Sequence, residues 1–210
     1  MESIEKIVAK QLLDIKAVKL NPENPFTWAS GWKSPIYCDN RKVLSYPAAR
    51  KVVYEAFVEI IKKNFKDVEV IAGVATGAIA YGMMVAEVLG LPFVYVRPKP
   101  KDHGTGAQVE GDLPPKARVV VVEDLISTGG SSLAAVDALH KADANVLGMV
   151  AIFSYNFIKS IRAFENANVE LHTLSHYEAL LEKAVEENYI KAEDLKVLKE
   201  WRINPEICGK

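Results

Sequence analysis

The chain has little cysteine: two residues, Cys38 and Cys208, in 210. Two thiols cannot build a disulfide framework, so stability has to come from a buried core, and a reducing cytoplasm is the default compartment. No apolar run is long enough to cross a bilayer, although half of the residues are hydrophobic. The first residues, Met1 to Lys6, lack the basic-then-apolar layout of a secretion signal. A formal net charge of −1 gives no general attraction to nucleic acid. The Cys and His residues show no metal-ligand spacing, so any metal is expected to arrive with a substrate. Two nucleotide-binding loops are missing as well: the Gly-Lys-Ser/Thr ending of a Walker A loop and the Gly-x-Gly-x-x-Gly of dinucleotide folds. No internal repeat or low-complexity linker divides the chain.

What is present is a helix and strand alternation. Ile4, Ile7, Val8, Leu12 and Ile15 recur at helical spacing, and a polar and aromatic stretch follows over 20–41. Ser45 and Pro47 mark the start of a helix lined by Val53, Phe57, Ile60 and Ile61. Strands are expected at 68–72, 93–96, 119–124, 146–153 and 169–173, and helices at 78–89, 131–142 and 158–167. A polar loop spans 98–117, and two helices close the chain over 176–201. That rhythm implies an α/β fold with a mainly parallel central sheet and right-handed crossovers. The expected organisation is one domain over 1–210: a helix and hood to about 45, a core to about 175, then the tail helices.

The most informative segment is Val119 to Ser132, four valines ending in Glu123-Asp124 and then a small-residue turn opening a helix. Four consecutive valines suit a strand buried on both faces, so the two carboxylates emerge at its carboxyl end, where open α/β sheets bind ligands. Ser127, Thr128, Gly129, Gly130 and Ser131 then bring hydroxyls and unhindered N–H groups to a helix N-terminus, a place suited to phosphate. A second segment, Arg97 to Gly106, packs cations into a loop too polar to bury itself, with Arg97 fixed at a strand end. A third, Phe26 to Arg41, offers aromatic rings beside cations, a slot for a planar anion. A fourth, Ala72 to Ala78, is a small-residue strand-to-helix turn.

The acidic pair followed by a Ser/Thr/Gly turn resembles the phosphoribosyl-pyrophosphate (PRPP) signature of the type I phosphoribosyltransferases. Lys101-Asp102-His103-Gly104 resembles the catalytic loop of the orotate phosphoribosyltransferases, and Ser30-Gly31-Trp32-Lys33-Ser34-Pro35 their orotate-binding region. The residues 72–78 resemble the family's pyrophosphate loop. The resemblance implies a Rossmann-like type I fold with a small N-terminal hood, and an enzyme joining orotate to the ribose of PRPP with release of pyrophosphate, in pyrimidine nucleotide synthesis.

It also implies roles. Glu123 and Asp124 face the ribose hydroxyls, and Ser127 to Ser131 hold the 5′-phosphate, with Leu125 and Ile126 in the same PRPP-binding run. Arg97, Lys101 and His103 meet the pyrophosphate, with Thr76 and Gly77 in its loop. Lys101, His103 and Asp124 are the catalytic candidates. Ser127, Lys33, Tyr37 and Arg41 are those for orotate. Mg²⁺ is the expected cofactor, held mainly by PRPP without a direct protein ligand, Asp124 being the one candidate. The partners expected are PRPP, orotate and a second copy of the chain, in a homodimer with a shared active site, and neither nucleic acid nor membrane. The chain departs from one branch of the family. Pro98 stands where that branch has Lys, and Ser154-Tyr155-Asn156 stand where it has an Arg after Phe153. No fused decarboxylase is expected after residue 210. Two other readings stay open: a phosphoribosyltransferase for another base, disfavoured by the orotate-like segments, and a non-catalytic PRPP-sensing regulator. The regulator would carry a basic winged-helix domain in front, for which the stretch before residue 68 is short.

Overall fold

The computed structural model describes residues 2–28, 31–100 and 107–205. The first helix, α1 (Ile4–Asp14), starts at Ser3, whose hydroxyl accepts the Lys6 N–H. Four short strands follow: β1 (Val18–Leu20), β2 (Phe26–Thr27), β3 (Lys33–Ser34) and β4 (Ile36–Cys38). A 3-10 turn over Asn40–Ser45 leads into α2 (Pro47–Asn64), which opens with the ring of Pro47 in its first turn. Then come β5 (Val70–Val74), α3 (Ile79–Leu89), β6 (Phe93–Val96), β7 (Val109–Glu110) and β8 (Arg118–Ile126). The chain continues through α4 (Gly130–Lys141), β9 (Asn145–Ser154), α5 (Ile158–Asn166), β10 (Leu171–His176), α6 (Tyr177–Glu186) and α7 (Leu195–Ile203).

Six of these strands form one sheet in the order β10-β9-β8-β5-β6-β7, parallel except for the β6–β7 pair. The valines of β8 show why it lies at the centre. Val120 and Val122 face the layer built by α1, α2, α3, α6 and α7, while Val119 and Val121 face α4 and α5. All four are fully buried, and each contributes about 1.5–3 kcal/mol relative to an exposed position. The hood is two antiparallel pairs, β1 with β4 and β2 with β3. Inside the hood Trp28 Nε1 donates to the Ile36 carbonyl, and Trp201 Nε1, from α7, pins the hood to the body through the Lys33 carbonyl, each at 3.0 Å.

The sheet starts later than the apolar runs suggest. The strand expected at 68–72 occupies Val70–Val74, because the Val68 N–H closes the end of α2 on the Phe65 carbonyl. The strand expected at 169–173 occupies Leu171–His176 for the same reason, with the Val169 N–H donating to Phe164 of α5. Inside the polar stretch 98–117 lies β7, whose Val109 and Glu110 pair with Val96 and Tyr95. Two residues are too short a run for alternation to reveal. The strand 119–124 continues to Ile126, so the acidic pair lies within it rather than at its end.

Glycine brings α3 onto the sheet. A Cβ on Gly73 of β5 would lie 2.9 Å from the Ala78 carbonyl oxygen and 3.2 Å from Ile79 Cα, both main-chain atoms. Gly73→Ala is therefore expected to cost about 1–3 kcal/mol by overpacking. At about 2–4 °C per kcal/mol, that lowers Tm by several degrees in a calorimetric scan, and an unchanged Tm would show that the helix can back away.

Candidate active site

At the carboxyl ends of β5, β6 and β8 lies a cavity of about 580 Å³. Open α/β sheets place ligands there because successive strands send their loops apart. One wall is the turn after β5, with Thr76 and Gly77, which leads into the N-terminus of α3. A second is the turn after β8, with Ser127, Thr128, Gly129 and Ser131, which leads into α4. Two helices thus begin at one space, and a helix N-terminus favours a phosphate. Arg97 and Gln108 form the β6–β7 side, and Cys38, Asp39, Asn40 and Arg41 form the hood side.

Asp124 sits between these walls and is held through its main chain. The last β5–β8 pair is Gly73 with Val122, whereas β8 continues beside β9 as far as Ile126. Past Val122 one edge of β8 has no strand to bond, and side chains take over. The Asp124 N–H donates to Glu123 Oε1 at 2.9 Å, and its C=O accepts from Asn40 Nδ2 at 2.6 Å. The carboxylate lies against Gly77, where a Cβ would fall onto it. Only glycine at 77 leaves the Asp124 carboxyl group in this position.

Glu123 lines the cavity too, with both carboxyl oxygens hydrogen-bonded. It is 5 % exposed, and its second oxygen accepts from Ser132 Oγ of α4 at 2.9 Å. Burial first, and then the charge of Asp124, raises its carboxyl well above the usual carboxylate range. Of the other PRPP candidates, Thr76, Gly77, Arg97, Leu125, Ser127, Thr128, Gly129 and Ser131 all line the cavity. Gly130 opens α4 and does not line it. The Ile126 side chain is fully buried against α4, so only its main chain could meet a ligand. Arg97 forms an ion pair with Glu110 at 3.4 Å, and its main chain exchanges bonds with Gln108. Lys101 and His103 lie outside the described residues.

The orotate candidates divide. Ser127 and Arg41 line the cavity, whereas Lys33 and Tyr37 do not. Lys33 donates to Thr27 Oγ1 at 2.8 Å, and Tyr37 leans on Phe26 with ring centroids 5.9 Å apart. Arg41 Nε is 2.7 Å from Asp39 Oδ1, a bond that holds Asp39 below the usual carboxylate range and raises the Arg41 guanidinium. Where the other branch has its Arg, Tyr155 is buried among Phe153, Phe157, Trp28 and Trp201. A cation reaches that turn from elsewhere: Arg202 of α7 donates to the Asn156 carbonyl at 2.8 Å and pairs with Glu178 at 2.9 Å.

Residues that sequence reasoning passed over matter as much. Asn40 and Cys38 lie in the Phe26 to Arg41 segment without being singled out there, and Tyr81 carries no motif. In the structure Cys38 lines the cavity and donates to Asn40 Oδ1 at 3.2 Å. Burial, then the carboxylates of Asp124 and Asp39, pushes its thiol up.

A turn of hydroxyls and glycines after an acidic strand end, facing a second small-residue turn, defines a sugar-phosphate transferase site. Residues 40–170 match the family model of the phosphoribosyl transferase domain. The whole chain is 54% identical over 209 residues to orotate phosphoribosyltransferase of Porphyromonas gingivalis, covering 100% of both chains. It is 57% identical over 205 residues to the protein of that name from Phocaeicola vulgatus, covering 98% of this chain and 97% of that one. The crystal structure of orotate phosphoribosyltransferase from Aeropyrum pernix superposes with a TM-score of 0.75 at 32% identity, over 84% of this chain and 97% of that one. The chain belongs to the orotate phosphoribosyltransferase family.

The contact between Gly77 and Asp124 makes a clear expectation. Gly77→Ala puts a methyl group where the Asp124 carboxylate lies, so kcat/KM for PRPP should fall about tenfold or more while the circular dichroism spectrum is unchanged. Wild-type kinetics would show that the carboxylate can move without loss.

Proposed function

We infer that this chain is an orotate phosphoribosyltransferase that transfers the 5-phosphoribosyl group of PRPP to orotate, giving orotidine 5′-monophosphate and pyrophosphate. The observation that carries the reading is the cavity in which Asp124 lies between the two helix-capping turns. Full-length identity of 54% to a protein of that name supports the base. In the reaction an orotate ring nitrogen, giving up its proton to solvent, bonds to the anomeric carbon as the bond to pyrophosphate breaks, and positive charge develops on the ribose. The protein's part is to orient and to stabilise charge. The turn at 127–131 takes the 5′-phosphate through main-chain N–H groups and hydroxyls. The Asp124 carboxylate faces the ribose hydroxyls. Thr76, Gly77 and Arg97 take the pyrophosphate, joined by Lys101, with His103 as the proton donor to the leaving group.

Mg²⁺ suits this donor set. Among the described residues no group of three or more acidic, His or Cys side chains could hold a metal, and Mg²⁺ binds through one or two carboxylates plus substrate phosphates. Asp124 would be the protein's contact, and the ion would neutralise charge on the pyrophosphate. The compartment proposed is the cytoplasm, supported by the low cysteine content. Among the described residues no helix is long and apolar enough to cross a membrane.

A homodimer with a shared site completes the proposal. Met83 and Val88 of α3 are about half exposed and, with Tyr54 and Met84, line a shallow apolar depression that a second copy would cover. The loop carrying Lys101 and His103 would then act in the neighbour's cavity.

Two measurements test these points. With Mg²⁺, the purified protein should consume orotate and PRPP and turn over hypoxanthine, adenine and uracil poorly. Comparable turnover of a purine, or none of orotate, sinks the assignment. Lys101→Ala and Asp124→Ala chains, each nearly inactive, should regain activity when mixed and allowed to exchange subunits. About half the dimers are then mixed and about a quarter of all sites carry neither lesion. Activity no higher than the mean of the two, with exchange confirmed by native mass spectrometry, rules out a shared site.

A further inference from the structure

One of the two grips on the Asp124 main chain comes from outside the sheet. Asn40 follows β4, 84 positions earlier in the chain, and is 1 % exposed. Both ends of its side-chain amide are used, and so is its main-chain carbonyl. Nδ2 donates to the Asp124 carbonyl at 2.6 Å, Oδ1 accepts the Cys38 thiol at 3.2 Å, and its own carbonyl accepts the Tyr81 hydroxyl at 2.8 Å. Tyr81 is fully buried on α3, and burial, reinforced by the Asp124 and Asp39 charges, raises its pKa, so it stays a donor. An amide held in this way cannot turn without leaving a buried polar group unpaired.

We propose that Asn40 is a positioning residue for phosphoribosyl transfer, acting through Asp124. The bond to its carbonyl fixes the Asp124 peptide where β5 no longer supports β8, and so fixes the direction in which the carboxylate leaves the chain. With Gly77 on one side, the carboxylate has little room in which a rotated peptide would still present it to the cavity. The proposal rests on Asp124 facing the ribose hydroxyls. Asn40 also adjoins Cys38, Asp39 and Arg41, so a single side chain ties the hood wall to the ribose wall.

The test is a double-mutant cycle on kcat/KM for PRPP at saturating orotate, using wild type, Asn40→Leu, Asp124→Asn and the double variant. Leucine keeps the volume and removes the donor. Asn40→Leu should lower kcat/KM about tenfold to a hundredfold in the wild-type background, and less than about threefold once Asp124 is already Asn. Tyr81→Phe, which loosens Asn40 without removing it, should give a smaller loss with the same dependence on Asp124. An equal loss in both backgrounds means that Asn40 only supports the fold, and no loss in a folded Asn40→Leu enzyme means that it does nothing for Asp124. Either result overturns the proposal. If Asn40→Leu does not fold, the Asn40→Ala and Tyr81→Phe cycles decide by the same criterion. Wild-type rates for Asp124→Asn overturn the role of Asp124 itself, and with it that of Asn40. An impaired Asp124→Asn with additive losses overturns the role of Asn40 alone.

Discussion

A central strand that outlasts its neighbour sets the problem that the site solves. Beside β5, β8 is paired only as far as Val122, yet it runs on to Ile126 along β9. The backbone groups of Asp124 therefore emerge where no ladder continues, and buried backbone groups left unpaired are costly. Glu123 and Asn40 meet that need, one from the preceding residue and one from the hood. The cavity exists because the sheet ends unevenly, and the residue best placed to work in it is the one whose main chain had to be held by side chains.

The same logic connects distant parts of the chain. The hood strands are too short to be stable alone. They are secured by Trp28 and by Trp201 from the tail helix, within an aromatic cluster that includes Tyr155 and Tyr177. Tyr177 in turn donates to the Leu198 carbonyl, which anchors α7 against α6. The C-terminal helices thus support the hood side of the cavity as much as the core, although they contribute no lining residue to it.

Much of this was legible in the sequence. The valine run, the strand at 93–96, and the small-residue turns after β5 and β8 are local patterns, and the α/β fold with a mainly parallel sheet follows from them. What stayed hidden depends on distance along the chain. Asn40 looks like any polar residue until the fold brings it to Asp124. Glu123 and Asp124 share the ribose hydroxyls in the sequence reading, and the pleat of β8 sends them apart, turning the first toward Ser132 and the second toward Gly77. Lys33 and Tyr37 sit in a segment with an orotate-like pattern, but Lys33 meets Thr27 across the β2–β3 pair and Tyr37, on β4, leans on Phe26. Arg202 could not be connected with the turn at 154–156, because helices pack by their faces and the sequence does not say which turn a tail helix will meet.

The environment of Cys38 has a consequence for chemistry that this enzyme does not perform. Nucleophilic sulfur is thiolate, and oxidants and alkylating agents react with that form. Here burial and two neighbouring carboxylates hold the proton on sulfur, while Asn40 accepts it in a hydrogen bond. That environment favours the neutral thiol over the thiolate. For an electrophile entering the cavity, the cysteine in its wall is expected to be a poor handle.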